Sequence, residues 1–127
     1  MRKTIFLLVI SALMTVALVA CGGSSSSNSS SSSSIASGPN ITVTMTEFKF
    51  DPMNITVTLG QSVNLTLVNK GSIEHTWVVV GTPIKFTVAA GKTTTQTFTA
   101  PAAGTYKIDC DIPGHKEAGM VGQLIVK

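Results

Sequence analysis

Cysteine and histidine are scarce, with two of each in 127 residues. The one disulfide the chain could form would join Cys21 to Cys110, tying a low-complexity segment to the far end of the sequence to no visible purpose. Charge is sparse as well, at 12% of residues. No basic cluster or stripe offers itself to a phosphate backbone, which argues against nucleic acid as a partner. From Asn40 onward no apolar stripe recurs at helical spacing, so a helix bundle is excluded. The one long apolar run, residues 5 to 20, is too short for a comfortable bilayer span.

That run, IFLLVISALMTVALVA, follows Arg2 and Lys3 and has the charged start and apolar centre of an export signal. It ends in Leu18-Val19-Ala20-Cys21, with small side chains where cleavage needs them. This resembles the lipobox of bacterial lipoproteins, in which the cysteine is acylated and becomes the first mature residue. The alternative is an ordinary secretory signal cut nearby, leaving Cys21 a spare thiol. Without Arg2 and Lys3, seven basic residues face six acidic ones, about +1, against +3 for the full chain. Residues 22 to 39, GGSSSSNSSSSSSIASGP, cannot bury enough apolar surface to offset their ordering entropy and read as a flexible tether. The expected organisation is a signal over 1–20, a lipid-bearing Cys21 with its tether over 21–39, and one domain over 40–127.

Within the domain the pattern has period two. Ile41, Val43 and Met45 alternate with Thr; Ile55, Val57 and Leu59 do the same; Val63, Leu65 and Leu67 follow, then Ile84, Phe86 and Val88. Each run places apolar side chains on one face, as half-buried strands require. Turn residues lie between the runs, among them Asp51-Pro52, Asn69-Lys70-Gly71, Ala90-Gly91-Lys92 and Ala103-Gly104. Seven or eight short strands at this spacing predict an all-β Greek-key sandwich or barrel.

The register of the last strands carries the functional signal. Tyr106, Ile108 and Cys110 share the inward face, with Thr105, Lys107 and Asp109 outward; His75 faces inward with Trp77 and Val79, and Met120 with Gly122, Leu124 and Val126. His115 lies in the loop between Cys110 and Met120. Singly, a buried Met is packing and an inward His a satisfied core residue. Together, two imidazoles, a thiol and a thioether converge on one end of a sandwich. Zinc would take a further His, Cys or carboxylate as its fourth ligand, and hard ions do not seek a thioether. Two His and one Cys with a weak axial Met describe a mononuclear copper site for electron transfer. A second reading of the same residues, a Cys110 nucleophile paired with His115 or His75, would need an accessible thiol and a substrate cleft.

Residues 40 to 127 resemble a small blue copper protein, a cupredoxin of the plastocyanin, azurin and auracyanin kind. Cys110-Asp-Ile-Pro-Gly-His115 is similar to the azurin loop, while the four residues between His115 and Met120 look more like sulfocyanin-type domains. Asn69-Lys-Gly before His75 and Gly104-Thr-Tyr before Cys110 are similar to the family's approaches to its ligands. The resemblance implies one copper ion, with His75, Cys110 and His115 equatorial and Met120 axial. It implies that Thr76 hydrogen-bonds across to the ligand loop, and that electrons pass through the edge of His115 within an apolar patch of Ile112, Pro113, Gly114 and Ala118. Asp111 departs from the Ser, Thr or Gly common after the ligand Cys, and its charge is expected to favour Cu(II). A binuclear copper centre is excluded because position 114 is Gly. The expected protein is a monomeric carrier and not an enzyme, lipid-anchored at a cell membrane outside the cytoplasm and meeting redox proteins transiently. The alternative within the fold is an exported copper-delivery protein.

Overall fold

The computed structural model describes residues 38–127, and the signal segment, Cys21 and the tether as far as residue 37 lie outside the described residues. Nine strands are formed: β1 (Asn40–Thr46), β2 (Lys49–Asp51), β3 (Asn54–Val57), β4 (Ser62–Asn69), β5 (His75–Val79), β6 (Lys85–Val88), β7 (Thr93–Thr99), β8 (Gly104–Asp109) and β9 (Val121–Val126). No helix occurs among the described residues. The strands make two sheets, ordered β2-β1-β4-β7 and β3-β9-β8-β5-β6. This is the all-β sandwich that the alternation predicts.

The strands that alternate most clearly are the best placed. β4 buries Val63, Leu65 and Leu67 completely while Asn64 and Thr66 face out. It sits centrally in its sheet, parallel to β1 and antiparallel to β7. The two strands without a visible pattern lie at sheet edges. β2 has three residues and buries only Phe50; β7 is Thr-rich, and Phe98 is its one buried residue. Two expectations fail locally. Leu59 is 56% exposed, because the chain leaves β3 after Val57 and turns at Leu59-Gly60. Asp109, assigned to the outward face of β8, is buried.

Trp77, wholly buried on β5, holds the two layers together. It stacks on Phe86 of β6 at 6.2 Å between ring centroids and packs at 5.8 Å on Phe98 of the opposite sheet. His75 lies two residues earlier on the same face of β5, so the aromatic packing that fixes Trp77 also fixes the direction of His75.

The turn joining β1 to β2 contains only Glu47 and Phe48, since Thr46 pairs with Lys49. Phe48 has φ of +62°. For a bulky L-residue the left-handed region costs about 1–2 kcal/mol, which other contacts must offset.

Candidate metal centre

Three donors are brought together by two segments of chain. The first is the passage from β4 to β5. Asn69, buried at the end of β4, accepts the Gly71 N–H at 2.9 Å, and its Nδ2 donates to the carbonyls of Ile73 at 2.8 Å and Val88 at 3.0 Å. One amide thus folds the 70–74 loop back against β6 and delivers the chain to His75. Gly71 cannot carry a side chain easily: a Cβ there would stand 2.9 Å from Glu47 Oε1 and 3.2 Å from His75 Nε2.

The second segment is the β8–β9 loop. Its hydrogen bonds run Cys110 N–H to Met120 O at 3.2 Å, Met120 N–H to His115 O at 3.0 Å and His115 N–H to Ile112 O at 3.1 Å. Gly114 (φ +86°) and Gly119 (φ +107°) supply the left-handed residues that let so short a loop close. Cys110, His115 and Met120 are thereby locked to one another through the backbone. The Met120 side chain is fully buried at this end of the sandwich.

His75 Nδ1 and His115 Nδ1 lie 3.2 Å apart, and His115 Nδ1 lies 3.3 Å from Cys110 Sγ. All three donor atoms fall within 4.8 Å of one another. His75 and Cys110 are wholly buried and His115 is 8% exposed. Burial, and then the neighbouring His115, hold the His75 imidazole below its ordinary pKa, with Glu47 opposing. A neutral imidazole is the form that binds metal. His75 Nε2 is buried with no hydrogen-bond partner among the described residues, while Nδ1 faces the other donors. Two nitrogen lone pairs and a sulfur facing one point away from water form a donor set that fits a single copper ion.

Around the sulfur, Thr76 N–H and Thr76 Oγ1 both lie 3.4 Å from Cys110 Sγ. The Thr76 hydroxyl also donates to Asp111 Oδ1 at 2.8 Å and accepts the Asp111 N–H at 3.0 Å. Thr76 therefore bridges β5 and the ligand loop. Asp111 Oδ2 pairs with Lys85 Nζ at 2.5 Å. That ammonium, and then the Thr76 hydroxyl, draw the Asp111 carboxyl below its usual pKa.

Ile112 is half-buried, and Pro113, Gly114 and Ala118 are exposed around His115. Among the described residues Cys110 has no disulfide partner, and it has no exposed surface, so no substrate carbonyl could reach it; this speaks against a nucleophile. Sequence reasoning missed Lys85, Glu47 and Phe48. Lys85 reaches Asp111 from the neighbouring strand, and only the β5–β6 register, Val78 opposite Lys85, reveals it.

The cupredoxin-like domain model matches residues 11–126. The chain belongs to the cupredoxin family. It is 34% identical to auracyanin-A of Chloroflexus aurantiacus over 163 aligned positions, covering 99% of each chain. It is 33% identical to the copper-resistant cuproprotein CopI of Rubrivivax gelatinosus over 108 positions, covering 68% of this chain and 66% of CopI. Among solved structures, the dithionite-reduced auracyanin of Roseiflexus castenholzii is similar with a TM-score of 0.63 at 25% identity, covering 69% of this cupredoxin and 96% of that chain. As a cupredoxin, the chain is a copper-binding electron-transfer protein.

Proposed function

We propose that the protein is a membrane-anchored one-electron carrier working outside the cytoplasm, with one copper held by His75, Cys110 and His115 and by Met120 as the weak axial donor. The observation that carries this reading is the convergence of two Nδ1 atoms and one Sγ in a pocket closed to water. Bound copper would supply the one-electron couple. The chain's own part is to keep the donors fixed, so that little must move when the charge changes. Asn69 and Trp77 hold His75, the β8–β9 loop holds the other donors, and Thr76 ties the two halves.

His115 is the donor nearest solvent. The small apolar surface of Ile112, Pro113, Gly114 and Ala118 around it suits brief docking of another redox protein. A lipid on Cys21 would hold the chain at a membrane, while the Ser-rich tether lets the domain turn between donor and acceptor.

Similarity to CopI favours a second reading, in which the same site handles copper itself. One experiment separates the two: titrate the domain with Cu(II), reduce it with ascorbate and reoxidise it, recording the visible spectrum beside that of Cys110→Ser. An intense sulfur-to-copper band that bleaches and returns with no loss of metal, and is missing in Cys110→Ser, is the expected result. Metal loss on reduction would favour delivery, and a colourless Cu(II) adduct would sink the donor assignment.

A further inference from the structure

The β1–β2 turn carries two side chains that the copper site leaves unused, Glu47 and Phe48. Phe48 sits at φ +62°, a conformation that glycine and asparagine ordinarily fill. Such strain persists where surrounding contacts over-determine it, and it gathers at functional positions. Two contacts determine it here. The Glu47 carboxylate accepts the Ser72 N–H at 2.6 Å and the Ser72 hydroxyl at 2.9 Å, fastening the turn to the loop that leads into His75. The Phe48 ring meets the His115 ring edge to face, with centroids 5.2 Å apart and planes at 79°, an arrangement that aromatic quadrupoles favour.

His115 has exposed residues on both sides in the chain, Gly114 and Lys116, yet is only 8% exposed itself. Phe48, by contrast, is 38% exposed. The phenyl ring thus has one side against the imidazole and part of its surface in water. A residue needed only for packing would have no reason to occupy a strained backbone position at a surface turn.

We propose that Phe48 is a positioning residue, a cover that the Glu47–Ser72 link holds over His115, fixing the imidazole and keeping water and small competing ligands from the metal pocket. Its effect on metal retention rests on the copper reading; the cover itself belongs to the metal-free protein.

The test compares wild type with Phe48→Gly, which suits the backbone, Phe48→Tyr, which keeps the ring, and Glu47→Ala, which frees the turn. In the metal-free protein, carbethoxylation of His115 by diethyl pyrocarbonate is followed by peptide mass spectrometry, with buried His75 as the internal control. Phe48→Gly and Glu47→Ala are expected to react about fivefold faster at His115, with Phe48→Tyr at the wild-type rate. In the copper-loaded protein, bicinchoninate should extract Cu(I) from Phe48→Gly faster by a similar factor, with the sulfur-to-copper band unmoved. Unchanged carbethoxylation, equal acceleration at His75, or unchanged extraction would overturn the proposal. If wild type takes up no copper, the site assignment fails, while the carbethoxylation rates still decide whether Phe48 is a cover.

Discussion

Asp111 follows the donor cysteine and carries a negative charge, but Lys85 lies on its outer oxygen and Thr76 on its inner one. The charge that would favour Cu(II) is therefore partly cancelled from β6. Asp111→Asn leaves Lys85 unopposed and should raise the reduction potential; Lys85→Gln leaves Asp111 unopposed and should lower it. For groups this exposed each change is on the order of 1 kcal/mol, or roughly 40 mV for one electron. The double variant should return near wild type, and voltammetry of the four proteins checks the cycle. Thr76→Val removes a hydroxyl within 3.4 Å of Cys110 Sγ. That hydroxyl gives its one proton to Asp111 Oδ1, so its loss leaves the carboxylate beside the ligand loop less neutralised and the potential should fall, and an unmoved potential would leave Thr76 a bridge between β5 and the loop only. His75, Cys110 and Met120 were legible in the sequence because strand alternation assigns them a face, His115 from its place in the loop between Cys110 and Met120, and Thr76 only through the family resemblance. Lys85 was not, since its partner is set by strand register, and Phe48 was not, since TEFKFDP lacks the glycine or asparagine that marks a left-handed turn.

At the scale of strands and loops, the site depends on close backbone approaches that only small residues allow. A Cβ on Gly122 would stand 2.1 Å from the Met53 carbonyl oxygen, the same oxygen that accepts the Gln123 N–H. Gly122→Ala must therefore push β9 from the segment entering β3, and a loss of about 1–3 kcal/mol is expected in urea unfolding. That Gly122 faces inward could be read from alternation; that a carbonyl presses on it could not. Acid should weaken these contacts in two stages. The His75 pKa is depressed in the folded protein, so its contribution is complete above the ordinary value of 6.5 and is lost as pH falls below it toward the lowered folded value. The Asp111 and Glu47 carboxyls are depressed too, and their contributions are lost below ordinary carboxylate values, near 4. Urea midpoints of the metal-free protein from pH 8 to pH 4 should fall first below 6.5; a midpoint flat down to pH 5 would contradict the role given to His75.

For the molecule as a whole, a domain of under a hundred residues has a narrow stability margin, and a ligand that binds only the folded state widens it. Copper at a hundred times its dissociation constant adds about 2.7 kcal/mol, so stripping the metal should lower the melting temperature by about 10 °C or more. Scanning calorimetry with and without Cu(II) checks this, with Cys110→Ser expected to respond little. The layered architecture and the convergence at one end were legible because β1, β4 and β9 alternate cleanly. The thin edge strands were not, because β2 is too short to show a period and β7 is nearly all polar. The parallel pairing of β3 with β9 joins the two ends of the domain. The sheet holding all the donors can close only after the last strand, near the carboxyl terminus, has found a partner near the start of the domain. Without β9 the β8–β9 loop has no second strand to close against, so a copy truncated before Val121 is expected to stay colourless with Cu(II).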